Sequence, residues 1–211
     1  MSHRLELRSA DLHEVLSYLG SEPRGEGAAR LLGTMRETAA GRQRGLEEHG
    51  TAWALTIPAA LDQLAAGRPD ETGESAAAAY VTALQIVVAG LGSEPGTVGE
   101  YTDARTHFAE LDAELDRVGV PAELRPTRFL FAEFPFPLPD SASGPALGHL
   151  PLFDAAEVID AYRAALDHVH PPHADTLAAL TAALEYHHEE WDALREEHED
   201  ADNQYVFFAL S

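Results

Sequence analysis

Between Ser75 and Gly92 the chain carries no charged residue. Ala76 to Ala79, Tyr80, Leu84, Ile86, Val87 and Val88 make this run apolar on every side, interrupted only by Thr82, Gln85 and Gly90. It lies at the lower end of the length needed to cross a bilayer, and its polar interruptions suit a buried core helix better. A helix apolar all round must be covered by the rest of the chain. At 211 residues the chain is long enough to bury a full core, and a single domain over 1–211 is expected.

The flanking segments supply elements to pack. Residues 3–8 alternate, with Leu5 and Leu7 on one face, and predict a short strand. Ser9 is then placed to cap a helix carrying Leu12, Val15, Leu16 and Leu19, stopped at Gly20. A helix over about 25–49 follows, weakened by Gly33, Gly41 and Gly45, with a break expected near Gly41. The same segment gathers Arg24, Arg30, Arg36, Arg42 and Arg44, the one net-basic part of the chain. Thr56 and Pro58 read as the cap and first turn of another helix, and Gly67 as its stop. A glycine-rich loop is expected from Gly92 to Tyr101, then a helix over 102–118 with Phe108, Leu111, Leu115 and Val118 on one side.

Beyond 120 the pattern changes. Arg128 to Phe131 reads as a strand, and the alternating prolines of Phe134 to Pro139 as an edge or polyproline-like connector. Leu147 to Leu152 predicts another strand. A helix over 154–169 is expected to end at Pro171-Pro172, and a last helix to run over 174–200. The closing run Tyr205 to Leu210 is apolar throughout and predicts a buried strand in the same sheet as the N-terminal one. The expected fold class is therefore α+β, mainly helical, with about seven helices packed on a small mixed sheet that includes both terminal strands. Leu-Gly-Ser-Glu-Pro occurs at 19–23 and again at 91–95, but the flanks differ, so it is shared helix-stop chemistry rather than a repeat.

Charge narrows the function. Against 36 acidic residues stand 14 basic ones, all arginine, for a formal net charge of −22. Such a surface repels phosphate backbones and anionic lipid, so neither nucleic acid nor membrane is an expected partner. It suits a basic protein partner, or plain solubility. The absence of lysine, with one asparagine and three isoleucines, points to a high-GC genome. With no cysteine there is no disulfide, thiolate nucleophile or cysteine metal site. Arg4, Glu6, Arg8 and Asp11 do not fit a signal peptide, and a cytoplasmic setting is expected.

The densest chemistry lies in Glu185 to Asp200. Over 185–202 nine carboxylates face one arginine. Helical spacing puts His188, Asp192, Glu196 and Glu199 on one face, and Glu185-x-x-His188 matches a ligand pair of carboxylate di-metal bundles. The second pair such a centre needs is only approximated by Asp167-x-x-His170, beside two prolines. His187 falls on the seam of Leu177, Leu180, Leu184, Trp191 and Leu194, where a histidine is a hydrogen-bonded core residue. His168, His170 and His173 read as helix-end histidines. Neither a nucleophile elbow nor a phosphate-binding glycine loop is present.

Several segments together resemble a family of uncharacterised proteins of high-GC soil bacteria, known only as a domain of unknown function. They are Ala54-Leu-Thr-Ile-Pro-Ala-Ala-Leu-Asp62, Ala79-Tyr-Val-Thr-Ala-Leu-Gln85, Leu115-Asp-Arg-Val-Gly-Val-Pro121, Phe134 to Pro139, His188-Glu-Glu-Trp191 and Phe207-Phe208. Trp53 with its following helix, and the late helix-to-strand ending, are more remotely similar to the YfbM-like small α+β proteins. The resemblance implies the fold class and the cytoplasmic setting, and no activity or site.

The leading expectation is a non-enzymatic acidic binding module, immunity- or antitoxin-like, that takes a basic protein through Glu189, Glu190, Asp192, Glu196, Glu197 and Glu199. No catalytic residue and no cofactor is assigned. One alternative is a metal- or small-molecule-dependent enzyme using His187, His188 and Asp192. The other is a housekeeping or stress protein with no specific acidic site.

Overall fold

The alternation at the N-terminus and the apolar run at the C-terminus find each other. In the computed structural model, which describes residues 2–20, 25–139, 144–197 and 203–211, β1 (His3–Asp11) pairs antiparallel with β4 (Gln204–Leu210), from Leu5 opposite Leu210 to Asp11 opposite Gln204. β2 (Gly96–Tyr101) runs antiparallel along the other side of β1, and β3 (Ala146–Pro151) lies beyond β4, in the order β2-β1-β4-β3. The sheet, expected as mixed, is antiparallel. β4 sits between two strands, and Val206, Phe207 and Phe208 are buried in succession, as an uninterrupted apolar run requires.

The chain forms two compact units. One holds the sheet and comprises Met1–Asp11, Ser93–Glu133 and Leu147–Ser211. Its helices are α5 (Ala104–Arg117), the single turn α6 (Thr127–Leu130), α7 (Leu152–Ala165) and α8 (Pro171–Glu197). Asp103 caps α5, accepting from the Thr106 amide at 3.1 Å, and Phe108, Leu111 and Leu115 form its buried stripe.

Four local expectations are corrected here. Ser9 caps nothing, because β1 continues through it to Asp11 and its amide donates to Ser93 Oγ at 3.0 Å. The expected glycine loop after Gly92 contains the strand β2. Gly99 allows close packing, since a Cβ there would lie 2.9 Å from the Tyr101 hydroxyl, whereas one on Gly96 would make ordinary contact, 3.5 Å from His187 Nε2. The predicted strand at Arg128 to Phe131 is the helical turn α6, set by Pro126 at φ −51°, ψ −45° and held by Asp112, which accepts from the Thr127 amide. β3 passes directly against α6, so a Cβ on Gly148 would overlap the backbone oxygen of Phe129. Finally, Pro171 and Pro172 do not stop a helix. α7 gives way to a 3₁₀ turn at Leu166–His168, and the two prolines open α8, where their missing amides cost nothing.

The other unit is helical, formed by Leu12–Gly92 with Phe134–Ala146. It contains α1 (Leu12–Ser17), α2 (Glu26–Glu48), α3 (Ile57–Ala65) and α4 (Glu74–Leu91). α2 runs unbroken through Gly41, against the expected break. Buried Gln43 on α2 accepts from the Ile57 amide at 3.0 Å, so the start of α3 is tied to α2. Thr56 and Pro58 begin α3 as expected, with Thr56 Oγ1 accepting from the Ala59 amide, and Gly67 turns the chain at φ 68°. α4 is the predicted core helix. Among the described residues it is the one helix long and apolar enough to cross a membrane, and 72 % of it is buried.

Candidate functional site

α8 joins the core to the surface. Leu177, Leu180, Leu184, His187 and Trp191 recur at steps of three, four, three and four, and all are buried. This seam lies toward β1 and β2. His187 is fully buried within it, with Nε2 3.2 Å from the Leu7 carbonyl oxygen of β1. Burial pushes its pKa below the ordinary histidine value, against the opposing pull of the Leu7 carbonyl and Glu190. His187 is therefore a neutral tie between helix and sheet.

One position further on, the helix has turned by about 100° and the environment reverses. His188 lines a groove between α7 and α8, about 150 Å³ in volume. Its Nδ1 is 3.7 Å from Asp192 and its ring meets Trp191 edge-on at 5.4 Å. Ala156, Ile159, Asp160 and Arg163 form the α7 side, while Glu185 and Glu189 accompany His188 on α8. Arg163 bridges the two helices, with Nε 2.7 Å from Glu185 and Nη1 3.6 Å from Asp160.

The outer face of α8 is a ridge. Glu189, Glu190, Asp192 and Glu196 are all exposed, and of these helical spacing predicted a shared face for Asp192 and Glu196. Glu197 ends the helix with its side chain outside the described residues, and Glu199 lies wholly outside them. The single arginine of the ridge, Arg195, lies 4.6 Å over the Trp191 ring and 3.9 Å from Asp192, and leaves the ridge strongly acidic. Tyr186, half exposed, donates its hydroxyl to Glu190 at 2.7 Å, and the bond to Glu190 raises its pKa. Leu194 is exposed as well, so Tyr186, Glu190 and Leu194 make a mixed apolar and acidic stripe at steps of four. Helical spacing predicts Leu194 on the buried seam, but in the structure it is 38 % exposed among the described residues.

The structure brings His188 and Asp192 together and sends His187 to the buried side. Among the described residues no three His, Asp or Glu side chains converge to hold a metal ion. The histidines at 168–173 also separate. Glu114 on α5 accepts from the His170 amide at 2.8 Å and lies 2.6 Å from its Nδ1, while Arg117 holds the Glu114 carboxyl at a pKa of about 2. His173 instead faces His107 at 5.5 Å, and His107 Nε2 lies 3.0 Å from Thr176 Oγ1. Burial, then the neighbouring His173, lowers the His107 pKa. Tyr186 and the α7 residues Ala156, Ile159, Asp160 and Arg163 are site residues that the sequence does not single out. Tyr186 sat in view beside the acidic run, whereas nothing in the spacing links Arg163 to Glu185.

The family described as a domain of unknown function (DUF7691) covers residues 1–209. The chain belongs to that family. No curated protein and no solved structure matches it. DUF7691 membership carries no activity with it, so function has to be argued from the surface of α7 and α8.

Proposed function

We propose that this DUF7691 protein is a cytoplasmic, non-enzymatic binding module that captures a basic protein on the outer face of α8. One observation carries the reading: the exposed large apolar side chains among the described residues, Phe153, Tyr186 and Leu194, all lie on α7 and α8, and the last two are set among Glu189, Glu190, Asp192 and Glu196. Exposed aromatic and aliphatic anchors within a charged surface are what a protein interface needs, with apolar contact for affinity and charge for steering. A surface acidic merely from genomic habit has no reason to gather its exposed apolar residues there. We further propose, from the absence of lysine and the scarcity of asparagine and isoleucine, that the gene comes from a high-GC soil bacterium, and, from Trp53 with its following helix and the late helix-to-strand ending, a remote YfbM-like relationship.

The test is native mass spectrometry of the untagged protein purified from its own host at low salt. A stoichiometric second polypeptide of basic composition is expected. It should be lost when Glu190 and Glu196 are reversed to arginine and Leu194 is replaced by alanine. A partner retained by that triple variant refutes the ridge, and a bound metal or small molecule in place of a polypeptide favours an enzyme centred on His188 and Asp192.

A further inference from the structure

Resting on the partner-binding reading, the geometry points to a subsite: the groove between α7 and α8 receives an arginine or lysine side chain of the basic partner, its aliphatic stem on Ala156 and Ile159 and its charged head at Glu189. Shape, charge and an internal precedent agree.

The groove is open and about 150 Å³ in volume, and Ala156 and Ile159 give it an apolar floor. Its walls bring three carboxylates, Asp160, Glu185 and Glu189, against the one guanidinium of Arg163. Arg163 is already engaged by Glu185 at 2.7 Å and Asp160 at 3.6 Å. Glu189 is exposed and makes no hydrogen bond or ion pair among the described residues, so it is the wall carboxylate left to meet an incoming cation. Arg163 shows that a guanidinium fits between carboxylates of the two helices. An occupant has to combine an apolar stem with a cationic head, and arginine and lysine side chains have that construction. A purely apolar group would leave Glu189 uncompensated, and an anion would face Glu189 in a lining with three carboxylates to one guanidinium. Phe153, one turn before Ala156 on α7 and 59 % exposed, extends the apolar surface for the residues around the inserted side chain.

The experiment is an NMR titration of the untagged full chain with n-butylguanidinium, followed at the Ile159 methyls and the His188 ring. Tetramethylammonium, which has the charge without the stem, is the control. Butylguanidinium is expected to give saturable shifts at both residues and tetramethylammonium none. Ala156→Trp fills the groove without changing any charge and should abolish the shifts. Glu189→Gln should weaken binding by about three- to fivefold at low ionic strength. Should the tryptophan variant fail to fold, Ala156→Leu replaces it with the same expected direction. Shifts that do not saturate, that appear equally with tetramethylammonium, or that survive filling of the groove overturn the subsite. Glu190 and Glu196 lie outside the groove and separate the two levels. If their reversal releases the partner while the groove titration stays silent, the subsite alone is wrong. If their reversal leaves the partner bound, the reading beneath it is wrong.

Discussion

α4 and α8 solve opposite problems with the same backbone. α4 is buried around nearly its whole circumference, from Ala76 through Val88, and two of its polar side chains bond inside the fold: Gln85 donates to the Ala146 carbonyl at 2.9 Å, and the Tyr80 hydroxyl bonds Gln63. α8 buries one seam and leaves the rest to solvent, with His187 fully enclosed and Glu189, Glu190 and Asp192 outside. The difference teaches where function can sit. A helix enclosed on all sides stabilises the fold but presents nothing to another molecule. A helix anchored along one seam holds its opposite face rigidly in place without burying it.

The contrast is testable in order of effect. Leu84→Ala empties a fully buried position on α4 and should cost about 2–5 kcal/mol in urea unfolding. His187→Ala removes the tie to Leu7 and should cost about 1–3 kcal/mol by the same measurement. A negligible loss there would show that the seam of α8 does not need its histidine.

Acid should find the same weakness. The pKa of His187 is lowered in the folded state, so below the ordinary value of 6.5 the unfolded chain binds a proton that the folded one refuses. Stability should therefore fall as pH drops below about 6.5, levelling off beneath the folded pKa, with His107 and His149 acting in the same direction. Urea midpoints at several pH values check this, and His187→Gln should flatten the slope. The smallest effect belongs to the ridge: Leu194→Ala, at an exposed position, should shift stability by no more than about 0.5 kcal/mol. A loss as large as that of Leu84→Ala would mean that the ridge is itself packed, and the contrast would collapse.

Much of this was legible because it is local. The two terminal strands follow from the alternation of Leu5 and Leu7 and the unbroken run ending at Leu210, and α3 from Thr56, Pro58 and Gly67. The acidity of the ridge follows from composition, and the shared face of Asp192 and Glu196 from helical spacing. The errors share one cause. β2 hides because Gly96 and Gly99 carry no strand signal, and the tight approach of Tyr101 to Gly99 is a contact that spacing does not reveal. Arg128 to Phe131 has strand composition, yet Pro126 and Asp112 coil it into a turn. Pro171-Pro172 marks a helix boundary correctly, but apolar helices flank it on both sides, and the fold shows that the prolines open α8.

By itself the sequence determined both terminal strands, most of the helices and the buried seam of α8 as far as Trp191, because the periods of 3.6 and 2 are properties of a few neighbouring residues. It determined the acidity of the last helix directly, by composition, with nine carboxylates to one arginine over 185–202. Only the tertiary structure decided that His187 and His188, adjacent in the chain, meet a strand carbonyl and an open groove respectively. Only it brought Arg163 to Glu185 and left Glu189 without a cation among the described residues. Such pairings depend on how α7 lies against α8, and packing across twenty residues of chain leaves no periodic trace in the residues that take part.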